Sequence, residues 1–301
     1  MLMGHLRSKS IVVQRQRVRD SLQRMDPIGV LARRRTAVAR RVYSVQYPNF
    51  IWHIDGNHKL IRWKLVVHGA IDGYSRMLMF LQCSNNNRAE TVRDLFTAAV
   101  GQYGRPLHIR TDHGGENIQI LGDMHSSRGE GSVLTGSSVH NQRIERLNRD
   151  LNKNCSQVHA PIFYELESLG ILDIDNATDL FFLHYVFLTK INRTLEEYKA
   201  GFNNHSVSSE GNRTPVQLFT LDNDLPHLHN PELSTAGVVF CSLPNSQRGF
   251  SPLNDLDLPE LNETIKPLQK DNNNGKTLFQ RTQQFIFDKL VCDLSITWTI
   301  G

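Results

Sequence analysis

The run Phe50-Ile51-Trp52-His53-Ile54-Asp55-Gly56 constrains this chain more than any other. Ile51 to Ile54 are mostly apolar and aromatic or β-branched, and Gly56 closes the run. The pattern predicts a short buried strand with a carboxylate at its carboxyl end. A charge in that setting is costly unless it is paired, hydrogen-bonded or bound to a metal. Two later stretches, Ile109-Arg110-Thr111-Asp112 and Gln142-Arg143-Ile144-Glu145-Arg146, offer further acids in comparable settings. The expected fold brings these three acids together.

With 301 residues the chain can bury a sizeable core, and a prior of about 150 residues per domain suggests two domains. Its 39% hydrophobic and 21% charged residues fit a globular protein. No apolar run approaches the ~20 residues of a membrane helix. The start, Met1-Leu2-Met3-Gly4-His5, lacks the apolar segment of a secretory signal. Cys83, Cys155, Cys241 and Cys292 form no Cys-x-x-Cys pair, which argues against a zinc knuckle and for a reducing compartment.

The net charge of +4 is unevenly spread. Residues 1–49 hold eleven Lys and Arg against two acids, Asp20 and Asp26, an excess of nine. The rest carries 23 basic and 28 acidic residues, a deficit of five. A basic head on a mildly acidic body points to a polyanion, nucleic acid above all.

Ser8 to Pro27 is expected to be one helix, capped by Ser10 and stopped by Pro27. Val18, Leu22 and Met25 give it an apolar face. Arg15, Arg17, Arg19 and Arg24 then suit either base edges or phosphates alone, two readings that the residues leave open. Residues 29–49 form a basic linker with Arg33-Arg34-Arg35 and Arg40-Arg41, which can cross a DNA backbone or serve as a nuclear import signal. From Phe50 the pattern becomes α/β. Leu65 to Ile71 and Met77 to Leu81 are expected to complete an antiparallel meander with the first strand. Arg88 to Tyr103 reads as a helix with a Val92, Leu95, Phe96, Ala99, Tyr103 stripe, ended by Gly104. Leu107 to Thr111 is a fourth strand, parallel to the first through a crossover.

Gly122 to Thr135 reads as a mobile loop. A helix follows from about Gly136 to Asn154, and a long one from Asp179 to Asn203, ended by Asn203-Asn204-His205. Thr214-Pro215 opens a short helix. Residues 222–301, dense in Pro, Asp and Asn, are expected to be irregular or disordered, with a final short element between Phe285 and Trp298.

Asp55 and Asp112 end strands, and Glu145 lies in the first turns of a helix. Asp150, a rival to Glu145, lies roughly 140° further round that helix. Three clustered carboxylates repel each other, and hard divalent cations resolve the repulsion; oxygen donors select Mg²⁺ or Mn²⁺. Trp52-His53-Ile54-Asp55, Ala70-Ile71-Asp72-Gly73-Tyr74-Ser75-Arg76, Thr111-Asp112-His113-Gly114-Gly115-Glu116-Asn117 and Val139-His140-Asn141-Gln142-Arg143-Ile144-Glu145-Arg146-Leu147-Asn148-Arg149 resemble the successive blocks of the retroviral-type integrase core, the catalytic domain of DDE transposases and integrases. The Trp52–Leu60 run with His58-Lys59, and Gly211-Asn212-Arg213-Thr214-Pro215, are similar to integrase-core proteins dispersed in animal genomes. The N-terminal segment resembles the second half of a transposase helix-turn-helix.

The resemblance implies an α/β, ribonuclease H-like fold: a mixed five-stranded sheet flanked by helices, over residues 50–221. Residues 1–28 would be a partial helix-turn-helix-like segment. It implies Asp55, Asp112 and Glu145 as catalytic and metal-binding residues for two Mg²⁺ or Mn²⁺ ions. It gives Asp72 a packing role. Asn141, Arg146 and Arg149 would lie along DNA beside Glu145; the plainer reading is surface Glu–Arg pairs. His113 suits a DNA contact or a local hydrogen bond equally. The departures are the absence of a His-His-Cys-Cys module before the core, and Gly136–Asn141 in place of the family's Tyr-Pro-x-x-Asn-Gly-type loop. The expected function is DNA end cleavage and strand transfer by a nuclear homo-oligomer, with no small-molecule substrate. The alternatives are a decayed relative that binds nucleic acid without catalysis and, third, a nuclease on RNA–DNA hybrids.

Overall fold

The computed structural model describes residues 2–34, 45–136, 142–223, 251–253 and 257–297. Its centre is a five-stranded sheet of order β3-β2-β1-β4-β5. The strands are β1 (Ile51–Leu60), β2 (Leu65–Asp72), β3 (Leu78–Ser84), β4 (His108–Thr111) and β5 (Val133–Thr135). β1, β2 and β3 form the expected antiparallel meander, and β4 lies parallel to β1 with β5 parallel to β4. Helix α4 (Ala89–Tyr103) links β3 to β4 and buries Val92, Leu95, Phe96 and Ala99 as its spacing predicts.

The two sheet faces carry separate cores. On one, Trp52, Ile54, Ala70 and Phe80 meet α4 and α5 (Ile118–Arg128). On the other, Val67, Ile71, Leu81 and Cys83 meet α6 (Gln142–Leu151), α7 (Gln157–Ser168), α8 (Ala177–Leu183) and α9 (Thr189–Asn203). A π turn, Asn152–Ser156, joins α6 to α7, and a second, His184–Leu188, joins α8 to α9. Pro215 opens α10 (Pro215–Asn223), as expected for a residue that lacks an N–H.

Asn49, at φ 61°, fastens one end of the sheet. Its N–H donates to Asp72 (2.9 Å), its Nδ2 to the Tyr103 carbonyl (2.8 Å), and its Oδ1 accepts from Trp52 Nε1 (2.9 Å). Its own carbonyl accepts the Leu107 N–H at 2.8 Å. One residue thus ties β1, β2, the end of α4 and the approach to β4.

The edge strand β3 is closed by side chains of α9. Asn192 accepts the Cys83 N–H (2.7 Å) and donates to the Cys83 carbonyl (3.0 Å). Asn203 does the same at Leu78 (2.8 and 3.2 Å), and Lys199 Nζ donates to the Met79 carbonyl at 2.6 Å. The spacings agree. Eleven helical residues and five strand residues each span about 16.5 Å, and eleven residues are close to three whole turns. Burial pushes the Lys199 ammonium down to about 8.

Several expectations are corrected. Ser8 to Pro27 is not one helix: α1 (Leu2–Ser8) ends before Ser10, at φ 59°, and α2 runs Arg15–Met25. The position before α2 is Gln14, so Ser10 is no cap. Pro27 does more than stop α2. It is the first residue of α3 (Pro27–Arg34), whose Gly29 N–H is capped by Asp26 Oδ1 (2.8 Å), so the linker begins as helix. α1 docks on α9 so closely that a Cβ on Gly4 would stand 2.0 Å from the Gly201 carbonyl oxygen.

The Gly122–Thr135 loop is mostly structured. Ile120 and Met124 are buried, and Ser126 and Ser127 donate to carbonyls four residues back rather than breaking α5. Within 222–301, expected to be irregular, α11 (Asp257–Thr264) and α12 (Lys276–Thr297) are helices. Leu261, Leu278, Phe279 and Ile286 join the second core, and the expected Phe285–Trp298 element lies within α12 as far as Thr297.

The closed edge is open to measurement. Asn203→Ala leaves the buried Leu78 N–H and C=O unpaired, and denaturant unfolding should show a loss of about 3 kcal/mol. A loss below about 0.5 kcal/mol, the level of an inert surface change, would mean that water replaces the amide there.

Candidate active site

β1 and β4 pair as Ile51↔His108, Trp52↔Ile109 and His53↔Arg110. His108 follows Ile51 by 57 residues, the step that also separates Asp112 from Asp55. The same register, continued, sets Asp112 opposite Asp55, just past the last residue of β4, Thr111. Asp55 is therefore not at the end of its own strand, as the sequence suggested. β1 runs on to Leu60 because β2 keeps pairing with it, through Asp55↔Gly69, Gly56↔His68 and Asn57↔Val67. The strand end that matters is that of β4.

Asp55 is partly buried. Its Oδ1 accepts its neighbour's N–H, at Gly56 (3.0 Å), and its Oδ2 accepts Asn148 Nδ2 from α6 (2.7 Å). Burial, and then the charge of Asp112, pushes the Asp55 carboxyl up to about 6; the two hydrogen bonds and His58 oppose the rise. Asp112 Oδ1 accepts from the Gly114 N–H (3.1 Å) and Asn117 Nδ2 (3.0 Å), which explains the local Asp-His-Gly-Gly-Glu-Asn sequence. Among the described residues no hydrogen bond falls on Asp112 Oδ2.

α6 reaches β1 because β2 offers Gly69 beneath it. A Cβ there would stand 3.7 Å from Leu147 and 3.3 Å from Leu81. Ile144, Leu147 and Leu151 are buried, and Asn148 faces Asp55. Glu145 is partly buried one turn before Asn148, on the same stripe, a rise of about 4.5 Å along the axis. It is not gathered with the two aspartates: among the described residues no group of three or more His, Cys, Asp or Glu stands close enough to hold a metal ion. Asp150 lies towards α9, where burial, and then the Asp150 charge, raises the Tyr198 hydroxyl.

The donor set fits a hard divalent cation in part. Asp55 and Asp112 are oxygen donors whose mutual repulsion already lifts one of them, and an ion between them would relieve it. Neither Asn148 nor Asn57 is among the site residues expected from the sequence. An Asn three residues after a candidate Glu, on the same helical stripe, was the available signal.

Asp72 is buried and packs the sheet end. It accepts from the Asn49 N–H (2.9 Å) and from the N–H and Oγ of Ser75 (both 2.7 Å). Arg76 completes that block by pairing with Glu210 at 2.9 Å. Of the expected nucleic-acid contacts, Arg15, Arg17, Arg19 and Arg24 are exposed on α2, and Arg146 and Arg149 are exposed on α6. Arg33 and Arg34 fall in α3, with their side chains outside the described atoms, and Arg35 and Asn141 lie outside the described residues. His113 is exposed beside Asp112.

A family profile described as integrase core domain matches residues 42–228, more than half of the chain. The chain belongs to the integrase core domain family. The mixed five-stranded sheet flanked by helices is the ribonuclease H-like arrangement that its sequence blocks implied. This integrase core is similar to the HTLV-2 integrase catalytic core domain solved in complex with magnesium in a dimeric form, at 19% identity over 57% of this chain and 97% of that one, TM-score 0.37. It is also similar to a chain of the simian T-cell lymphotropic virus intasome in complex with PP2A regulatory subunit B56 gamma, at 17% identity over 68% and 63%, TM-score 0.40. The BIV integrase catalytic core domain is 17% identical over 57% and 93%, TM-score 0.37. No curated protein matches the chain. Among the described residues no helix is long and apolar enough to cross a membrane.

Burial, against its hydrogen bonds, pushes the Asp72 carboxyl from an ordinary 3.8 up to about 6. The folded form keeps this proton to higher pH than the unfolded chain does. The contribution therefore favours folding below about pH 4 and is lost as the pH rises to about 6. Relative to the always-neutral Asp72→Asn, wild-type stability should fall by roughly 3 kcal/mol across that window in urea titrations. A pH-independent difference would mean that the carboxylate is ionised throughout.

Proposed function

We propose that this integrase core is a DNA-directed polynucleotidyl transferase of the DDE type, which cleaves DNA ends and joins them to a target. The observation that carries the reading is the placing of Asp112 opposite Asp55 past the end of β4, with Asn148 of α6 bonded to Asp55. Asp55 and Asp112, with Glu145 from the same α6 stripe, are the residues that would hold two Mg²⁺ or Mn²⁺ ions. Such ions, when bound, activate an attacking oxygen and stabilise a leaving one in phosphoryl transfer. The chain's own part is to hold Asp55, within β1, opposite Asp112, just past the end of β4, and to orient the Asp55 carboxyl through Asn148.

Arg146 and Arg149, exposed on the helix that carries Glu145, suit phosphates beside the site. Arg15, Arg17, Arg19 and Arg24 on α2 suit a second stretch of DNA, with Arg33, Arg34, Arg35 and Asn141 as further contacts. A nuclear homo-oligomer without a small-molecule substrate completes the reading. A second reading, DNA binding without turnover, is favoured by one observation: Glu145 is not gathered with the aspartates.

Strand-transfer assays with Mn²⁺ or Mg²⁺ separate the two. The first reading expects wild-type product and a loss of at least about a thousandfold in Asp112→Asn, since the missing ligand serves the reacting centre. Equal absence of product from both proteins leaves binding alone.

The basic head is tested separately. Replacing Arg15, Arg17, Arg19 and Arg24 by Ala should weaken DNA binding and flatten its log–log salt dependence by about 0.9 for each phosphate that is no longer neutralised. An unchanged slope would remove α2 from the interface.

A further inference from the structure

Asn57 and Asn152 take no part in the chemistry above, yet both are tied to it. Asn57 lies on β1 two residues past Asp55 and is 7% exposed. Its Oδ1 accepts the Lys59 N–H at 3.2 Å, a group that can only donate. Its Nδ2 therefore faces the α6 side. There it donates one hydrogen to Asn152 Oδ1 at 3.0 Å and the other to Asn148 Oδ1 at 3.4 Å. With its oxygen turned to Asn57, Asn148 presents its own Nδ2 to Asp55 Oδ2 at 2.7 Å. A backbone donor at one end and a carboxylate acceptor at the other fix the sense of each amide between them.

We propose that Asn57 and Asn152 are positioning residues: they hold Asn148 with its NH₂ towards Asp55 and so fix the Asp55 carboxylate for a divalent cation shared with Asp112. This rests on reading Asp55 and Asp112 as cation ligands. The terminal torsion of an asparagine is soft, and its two orientations are nearly equal in shape. Unheld, Asn148 can turn its carbonyl oxygen to Asp55, oxygen against oxygen, and the carboxylate then swings away. Asn57 prevents this by accepting nothing from Asn148 and donating to it. Asn152, four residues on along the same stripe and the first residue of the π turn, takes the second hydrogen of Asn57 and keeps that amide from rotating.

The test uses the full chain and three variants. Asn57→Ala removes the donor. Asn152→Leu keeps the branched shape and loses the acceptor. Asn152→Asp keeps the acceptor. Two quantities are read without DNA: the NMR signals of the Asn148 side-chain NH₂, identified by their loss in Asn148→Asp, and the Mn²⁺ affinity by electron paramagnetic resonance. The NH₂ signals should move in Asn57→Ala and Asn152→Leu and stay in Asn152→Asp. Mn²⁺ affinity should fall about tenfold in the first two and be no weaker than wild type in the third, the size of effect usual for groups that orient a metal ligand. Unmoved signals, or moved signals with unchanged affinity, would overturn the positioning role while the cation site stands. A wild type that binds no Mn²⁺ would overturn the cation site, and this role with it. Should Asn57→Ala fail to fold, the Asn152 pair decides alone, because both of its members keep the four-atom branched side chain of asparagine.

Discussion

The site depends on a short parallel contact, the pairing of β1 with β4 between Ile51 and Arg110. Side-chain direction alternates along a strand, so a slip of one residue would turn Asp112 to the wrong face. Three backbone pairs alone would not hold that register against a slip. Asn49 does much of the holding, since its backbone and side chain bind four separate segments at the start of β1 and β4. Trp52 adds a second constraint: its indole is bound to Asn49 and its ring meets Phe96 edge-on at 5.8 Å. The acids meet because a junction some distance from them fixes where both strands begin.

The helical layer supplies the other half. α6, the π turn and α7 form one continuous rod with two tasks. Its first part lays Asn148 and Asn152 against β1, and its last part packs Phe163 and Tyr164 against Trp63 at 5.1 and 4.9 Å. A straight α-helix keeps one facing stripe, and the π turn resets its phase between the two partners. Pro161 sits inside α7, one turn past the π segment, and lacks the N–H that would bind back to residue 157.

Much of this was legible in the sequence, for identifiable reasons. The meander and α4 follow from apolar spacing punctuated by Gly and Pro, as with Val92, Phe96 and Gly104. The step from Asp55 to Asp112 is a register written directly into residue numbers. Other parts depend on partners that spacing does not reveal. Nothing local makes Asn57 to Leu60 part of β1; β2 extends it. α5 contains Gly122 and two serines, and it persists because Ile120 and Met124 have a core to enter. α12 was obscured by the Asn-rich turn before it, although Leu278, Thr282 and Ile286 form a regular buried stripe. The amide chain from Lys59 to Asp55 joins residues up to 95 positions apart, beyond any local pattern.

The sealing of β3 by α9 closes one route by which this chain could meet other chains. An unsealed outer strand offers a row of N–H and C=O groups to any extended peptide, and many assemblies and aggregates grow that way. Here Asn192, Lys199 and Asn203 stand where another backbone would dock. Strand-to-strand association through that margin is closed, which leaves β5 as the sheet's other outer strand.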